Sequence, residues 1–171
     1  MLKLVRLTRE NYPLLVDMMD EWTSTGEVIV PWAIRKADYR DYDTYAASLE
    51  TGNPGTPGGN IVPDSTFFCL DTEQNCFVGA VNIRHYLNNA LLKNGGHIGD
   101  GVRPSQRRKG IATRMIALAL DECRKLGISR VLMTCDSVNI GSAKSIINNG
   151  GVLENEIVID GETVQRYWIQ L

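Results

Sequence analysis

Histidine and cysteine are scarce in this sequence and nowhere grouped: 171 residues hold two of the first and four of the second. Cys69, Cys76, Cys123 and Cys135 form no C-x-x-C pair and sit in apolar surroundings, so buried thiols are expected rather than zinc ligands or disulfides. With only His85 and His97 to add, no metal site is expected. Long apolar runs are missing too. None reaches the ~18 residues of a membrane span, and the N-terminus lacks the pattern of a signal peptide, so a reducing cytoplasm is the expected location. A surplus of positive charge is also absent. The net charge of -2 argues against nucleic acid as the main partner, because a duplex binder normally carries a basic excess. The length suits one domain with its own core and is too short for two comfortable ones, so residues 1–171 read as a single domain without internal repeats.

What basic charge there is gathers in one place. Gly99-Asp100-Gly101-Val102-Arg103-Pro104-Ser105-Gln106-Arg107-Arg108-Lys109-Gly110-Ile111-Ala112 passes from strand to glycine-bearing turn to helix. Val102 is β-branched and Pro104 cannot continue a ladder, so the strand should end near Arg103, and an apolar helical period starts at Ile111. The turn is therefore a helix N-terminus. Backbone N–H groups of Arg107 to Ala112 would point outward unpaired, where the helix dipole and flanking cations favour a phosphate, and Gly110 permits close approach. Lys and Arg at a helix start oppose its dipole, and a bound anion relieves that conflict. A P-loop is excluded, since Lys109 is followed by Gly110 rather than Ser or Thr, and the dinucleotide fingerprint lacks its third glycine.

Arg107-Arg108-Lys109-Gly110-Ile111-Ala112 resembles the Gln/Arg-x-x-Gly-x-Gly/Ala signature of the GNAT acetyltransferase superfamily. Val102-x-Pro104 looks like the end of that family's fourth strand, and Asn139 with Gly150 matches its second cofactor segment. Arg84-His85-x-Leu87-Asn88 followed by Gly95-Gly96-His97-Ile98-Gly99 is similar to one largely uncharacterised branch, which commonly has an aromatic where Asp100 stands. The resemblance runs from about Cys76 to the C-terminus. It implies an α/β (α+β) fold with a mixed, mostly antiparallel sheet of six to seven strands, one splayed strand pair and about four helices.

The remaining pattern is compatible with that fold. Lys3–Leu7 alternates as a strand, and Tyr12, Leu15, Val16, Met19 and Trp22 recur at helical spacing. A second helix carries Tyr39, Tyr42, Tyr45, Ala46 and Leu49, with Asp38, Asp41 and Asp43 near its start. Its tyrosines read as core, with an acceptor-facing role left open by the resemblance. Thr51–Pro63, with four glycines and three prolines, reads as a long surface loop suited to a lid. Thr66–Leu70 and Phe77–Tyr86 form a hairpin. The helix from Ile111 stops at Gly127, Val131–Cys135 is a buried strand, and Asp136–Asn139 leads into another helix. Val152–Ile159 and Val164–Ile169 close the chain as a hairpin about Asp160-Gly161.

The resemblance implies acetyl-CoA as co-substrate, with no metal, and an N-acetyltransferase acting on a primary amine of a small molecule or protein by direct attack in a ternary complex. Cofactor contacts are expected from Gly101, Val102, Arg103, Arg107, Arg108, Lys109, Gly110, Ile111, Ala112 and Thr113, and from Asn139 and Ser142. Gly99 and Gly101 would permit the bulge that splays the strand, or Gly101 serves packing. An amine must lose its proton before attacking. His97 is one candidate base, its alternative role being to hydrogen-bond the hairpin, and Asp100 is a weaker one. The usual tyrosine acid is replaced by Ile146, leaving Tyr167 as candidate acid or as core. That replacement motivates a second reading, a catalytically silent acyl-CoA-binding sensor or interaction module. Val164, Trp168 and Ile169, on a final strand read as an exposed edge, suggest a homodimer.

Overall fold

A computed structural model describes residues 1–49 and 61–171. Most of the stretch read as a lid, residues 51–60, lies outside the described residues. The sheet grows from the expected hairpin. β2 (Asp64–Asp71) and β3 (Cys76–Arg84) pair antiparallel about a turn in which Asn75 takes φ +49 and Asp71 accepts the Glu73 N–H at 3.0 Å. β1 (Leu2–Val5) joins the far edge of β2, and β4 (Ile98–Val102) joins β3, giving the order β1-β2-β3-β4. A second sheet has the order β5-β7-β6, from β5 (Arg130–Asp136), β6 (Val152–Ile159) and β7 (Glu162–Gln170). Asp160 and Gly161, at φ +50 and +85, turn β6 into β7 with the positive angles that the D-G pair anticipates.

Helices cover both faces. α1 (Tyr12–Ser24) and α2 (Tyr42–Leu49) bury Trp22, Tyr45 and Leu15 against Phe68 and Phe77, while α4 (Ile111–Lys125) buries Met115, Ile116 and Ala119 against Val81, Ile83, Val131 and Met133. α4 ends where Gly127 turns to φ +76 and lets the Ile128 N–H reach the Cys123 carbonyl. α5 (Ile140–Ile147) follows β5, and α3 (Asn89–Lys93), a short helix capped by Asn88, precedes β4. The second helix starts later than the tyrosine spacing suggests. Asp41 accepts the Thr44 N–H, leaving Tyr39 outside, and buried Tyr45 donates to the Ile34 carbonyl, a core role.

Two expectations are corrected. The β3–β4 register is unbroken through Gly99 and Gly101, so neither marks a bulge. Instead the segment after α1 crosses over them: a Cβ on Gly101 would lie 2.1 Å from the Val30 carbonyl oxygen, and one on Gly99 3.3 Å from Pro31 Cβ. The final strand is no edge either. β7 lies between β5 and β6, with Val164 and Ile169 buried and Trp168 under the Arg130 guanidinium, so the residues that suggested a homodimer are covered by their own sheet. The edges of this sheet are β5 and β6, and on β6 Val152, Leu153 and Val158 are exposed.

No ladder joins β4 to β5. Just before β4 the His97 N–H donates to the Leu132 carbonyl (2.8 Å), and the Leu132 N–H donates back to His97 Nδ1 (2.9 Å). Beyond this clasp the two sheets part. Burial, aided by the Arg84 cation, pushes the His97 ring down to about 4, so the folded chain keeps it neutral. Between about pH 6.5 and 4 the unfolded chain binds a proton there that the folded chain does not, so this group makes stability fall on acidification. His97→Phe is expected to cost about 1–3 kcal/mol at pH 7 by orphaning the Leu132 N–H, and to cost less as pH drops from 6.5 to 4.5. Thermal denaturation across that range checks this; a penalty independent of pH would show that His97 is not the linked group.

Candidate functional site

The parting of the sheets leaves an unpaired strand edge. In an antiparallel ladder alternate residues turn both backbone groups toward the partner, and the Arg103 N–H bonds to Val78 of β3. Gly101 therefore faces β3 as well, while the N–H and C=O of Asp100 and Val102 face away, into the gap. That gap is a groove of about 910 Å³, walled by β4, the start of α4 and the start of α5. Trp22 and Val30 close one side of it. At the far end the chain leaves Arg107 extended, takes φ +64 at Arg108 and +72 at Gly110, and enters α4. Such a left-handed to right-handed passage turns successive N–H groups into one concavity, an anion nest. Among the described residues the backbone N–H groups of Arg108 through Thr113 have no protein acceptor, and no side chain caps the helix. Arg108 holds its left-handed angle without being glycine, the kind of strain found where function requires it. The Arg107 N–H is different: it closes a turn onto the Pro104 carbonyl, so it does not belong to the nest.

The four cations expected around this turn divide. Arg103 turns away from it, and its guanidinium, almost buried, pairs with Glu21 and with Asp17 (2.7 Å) on α1. It is a strut rather than a phosphate contact, because two carboxylates already neutralise it. Glu21 also accepts the N–H and hydroxyl of Ser105 at 2.8 and 3.0 Å, and although burial opposes it, these donors and Arg103 hold its carboxyl below the usual range. Lys109 folds back onto the Ser105 carbonyl and the Gln106 side chain, at 2.9 and 3.1 Å. Arg107 lines the groove, yet its Nε donates to the Val102 carbonyl (3.1 Å) and its terminal nitrogen pairs with Glu27 (2.6 Å). Arg108 alone of the four has no hydrogen bond or ion pair among the described residues, and it lines the groove.

On the opposite wall Asn139 Oδ1 caps α5 by accepting the Ser142 N–H at 3.1 Å, and both residues line the groove. Capping and facing the groove are thus compatible. Thr113 stands behind them, its hydroxyl 3.4 Å from that of Ser145, and ties α4 to α5. Ile111 and Ala112 line the groove beside Gly110.

The candidate proton carriers fare differently. His97 is buried, its Nδ1 lone pair occupied by the clasp, and it does not line the groove. Tyr167 is buried on β7 and donates to Gln165 (2.8 Å); burial, with Cys135 and Glu156 nearby, raises its pKa, which makes it a poorer acid. Ile146 is fully buried in the core. Asp100 is the carboxyl that lines the groove: half-buried, with no hydrogen bond or ion pair among the described residues, it is pushed up to about 6 by desolvation. Among the described residues no cluster of His, Cys, Asp and Glu could hold a metal, and no helix is long and apolar enough to cross a membrane.

Trp22, Val30 and Lys144 line the groove although they were not among the expected cofactor contacts. Val30 comes in by crossing over Gly101, and the signal was Gly101 itself, whose missing Cβ marks a close backbone approach.

The acetyltransferase (GNAT) family model matches residues 16–145. No curated protein matches the chain in sequence. Among solved structures, a ribosomal-protein-serine acetyltransferase assignment from Vibrio cholerae superposes with a TM-score of 0.64 at 15% identity, covering 99% of this chain and 94% of the other. The spermidine N-acetyltransferase of Vibrio cholerae, in its dodecameric form, gives 0.64 at 19% identity, with 99% and 93% covered. At these identities the likeness establishes a shared fold.

Gly110→Glu tests the nest. The substitution places a side chain at φ +72, costing about 1–2 kcal/mol, and directs it into open space with no neighbour within 4 Å. Calorimetric titration with acetyl-CoA is expected to show affinity lost in a folded variant. Unchanged affinity would move the diphosphate elsewhere.

Proposed function

This chain belongs to the acetyltransferase (GNAT) family, and from that premise we propose that it transfers the acetyl group of acetyl-CoA to a primary amine of a small molecule or protein, by direct attack in a ternary complex. One observation carries the proposal: a strand edge with no partner strand, a nest of N–H donors and an uncompensated carboxyl open into the same groove. Each part meets a different portion of the co-substrate. The N–H groups of Arg108 to Thr113, with the Arg108 cation, suit a diphosphate. The Asp100 and Val102 edge suits the two amides of the pantetheine arm, as an added strand would, and Asn139 lines the same groove from the start of α5.

The Val102 N–H, fixed by the ladder on its other side, would then stabilise the oxyanion of the attacked thioester without reorganisation. Asp100 supplies the base. An ammonium acceptor near pKa ~10.4 has no lone pair, and a carboxylate with no cation of its own attracts that ammonium and accepts its proton. His97 is replaced in this role because its ring serves the clasp. The departing thiolate, near pKa ~8.5, needs no dedicated acid, so neither Ile146 nor Tyr167 argues against turnover.

Acetyl-CoA offered with a panel of amines is expected to release free thiol. Tight binding with no thiol release across the panel would favour the silent acyl-CoA-binding module. Asp100→Asn is expected to lower kcat/KM by about 10²-fold and to remove a rate limb that rises with pH through about 6. The same change should stabilise the protein at pH 7, by roughly 1–2 kcal/mol given partial exposure. The sign follows from the raised folded pKa: the ionised carboxylate is destabilising above about pH 6, and that effect disappears as pH falls to the unfolded value. A variant with an intact pH limb would remove Asp100 from the mechanism.

A further inference from the structure

We infer that Lys144 recognises the 3′-phosphate of coenzyme A and gives this chain a preference for the phosphorylated cofactor; the inference rests on the groove being an acetyl-CoA site. Three of the four cations in the basic turn are engaged internally, leaving Arg108 on the α4 wall. A diphosphate in the nest already has six backbone donors and that cation. The remaining anionic group of coenzyme A is a phosphomonoester carrying close to two charges at neutral pH, and it needs a cation from another element.

Lys144 is that cation. It is exposed, lines the groove from α5, and its ammonium has no hydrogen bond or ion pair among the described residues. Its position along the groove is set by its neighbour. Ser145 stands 3.4 Å from the Thr113 hydroxyl, and Asn149 donates to the carbonyls of both Thr113 and Ser145, at 3.0 and 2.8 Å. These bonds lock the middle of α5 to the first turn of α4, so Lys144 lines the groove from the stretch of α5 that packs beside the start of α4, where the nest lies. An ammonium, a compact point charge with three donors, suits a terminal phosphate whose orientation is not fixed by a second ester.

Dissociation constants of acetyl-CoA and acetyl-dephospho-CoA, measured by calorimetry at low salt, test this. The wild type is expected to prefer acetyl-CoA by about 3- to 10-fold, an advantage that shrinks as salt is added. Lys144→Gln should abolish the preference while leaving the affinity for the dephospho form within twofold, and Lys144→Arg should retain it. Equal weakening of both ligands in Lys144→Gln, or a preference that survives it, overturns the assignment. If the wild type binds neither ligand, the groove is not a coenzyme A site and the inference falls with that reading.

Discussion

Where β4 and β5 separate decides everything that follows at the site. His97 and Leu132 exchange two hydrogen bonds immediately before β4, and no ladder continues from them. Burial keeps the imidazole neutral, which preserves its acceptor nitrogen, and Gly96 keeps clear the space beside the Leu132 carbonyl that a Cβ would enter at 2.3 Å. Unpaired backbone groups are costly when buried. The Val102 carbonyl takes the Arg107 Nε–H, and the remaining edge groups of Asp100 and Val102 stay without a partner strand because they face a groove that water or a ligand can fill.

Charge is arranged around this edge by a similar economy of partners. Arg103, Glu21 and Ser105 connect α1 to the turn before α4, so the nest is held by a nearly buried ion pair rather than by its own short loop. Arg107 links the β4 edge to Glu27, in the segment that crosses Gly101. Those cations act as framework, and the groove is left with Arg108, Lys144 and one carboxyl whose desolvation is uncompensated. A conventional basic cradle would attract any polyanion. Here the two cations that line the groove without an internal partner among the described residues, Arg108 and Lys144, come from different helices.

Much of this was legible in the sequence because it depends on local rules. Pro104 ended β4, Gly110 took the left-handed angle, Gly127 stopped α4, and Asp160-Gly161 made the last hairpin. The nest followed from these breakers. Side-chain assignments were less legible, since Arg103 and Lys109 carry the same charge as Arg108 and only the partners from α1 and the preceding turn distinguish them. His97 illustrates the same limit: the family resemblance made it a candidate base, whereas its burial and the approach of Leu132 are tertiary. The order of the second sheet was only half legible: the Asp160-Gly161 hairpin pairs β6 with β7, but alternation in β7 does not reveal that β5 takes its other edge. Asp100 could be placed on the strand face opposite His97, but its isolation from cations is a property of the fold.

The most direct test of the central claim, that the gap between the two sheets receives acetyl-CoA, is amide hydrogen exchange resolved to single residues with and without the ligand. Binding is expected to slow exchange at Arg108 to Thr113 and at Asp100 and Val102, while amides of β3 change little. Protection that spares the nest and the β4 edge, or that gathers instead at the smaller cavity of about 330 Å³ lined by Arg6, Tyr42 and Thr66, would contradict it.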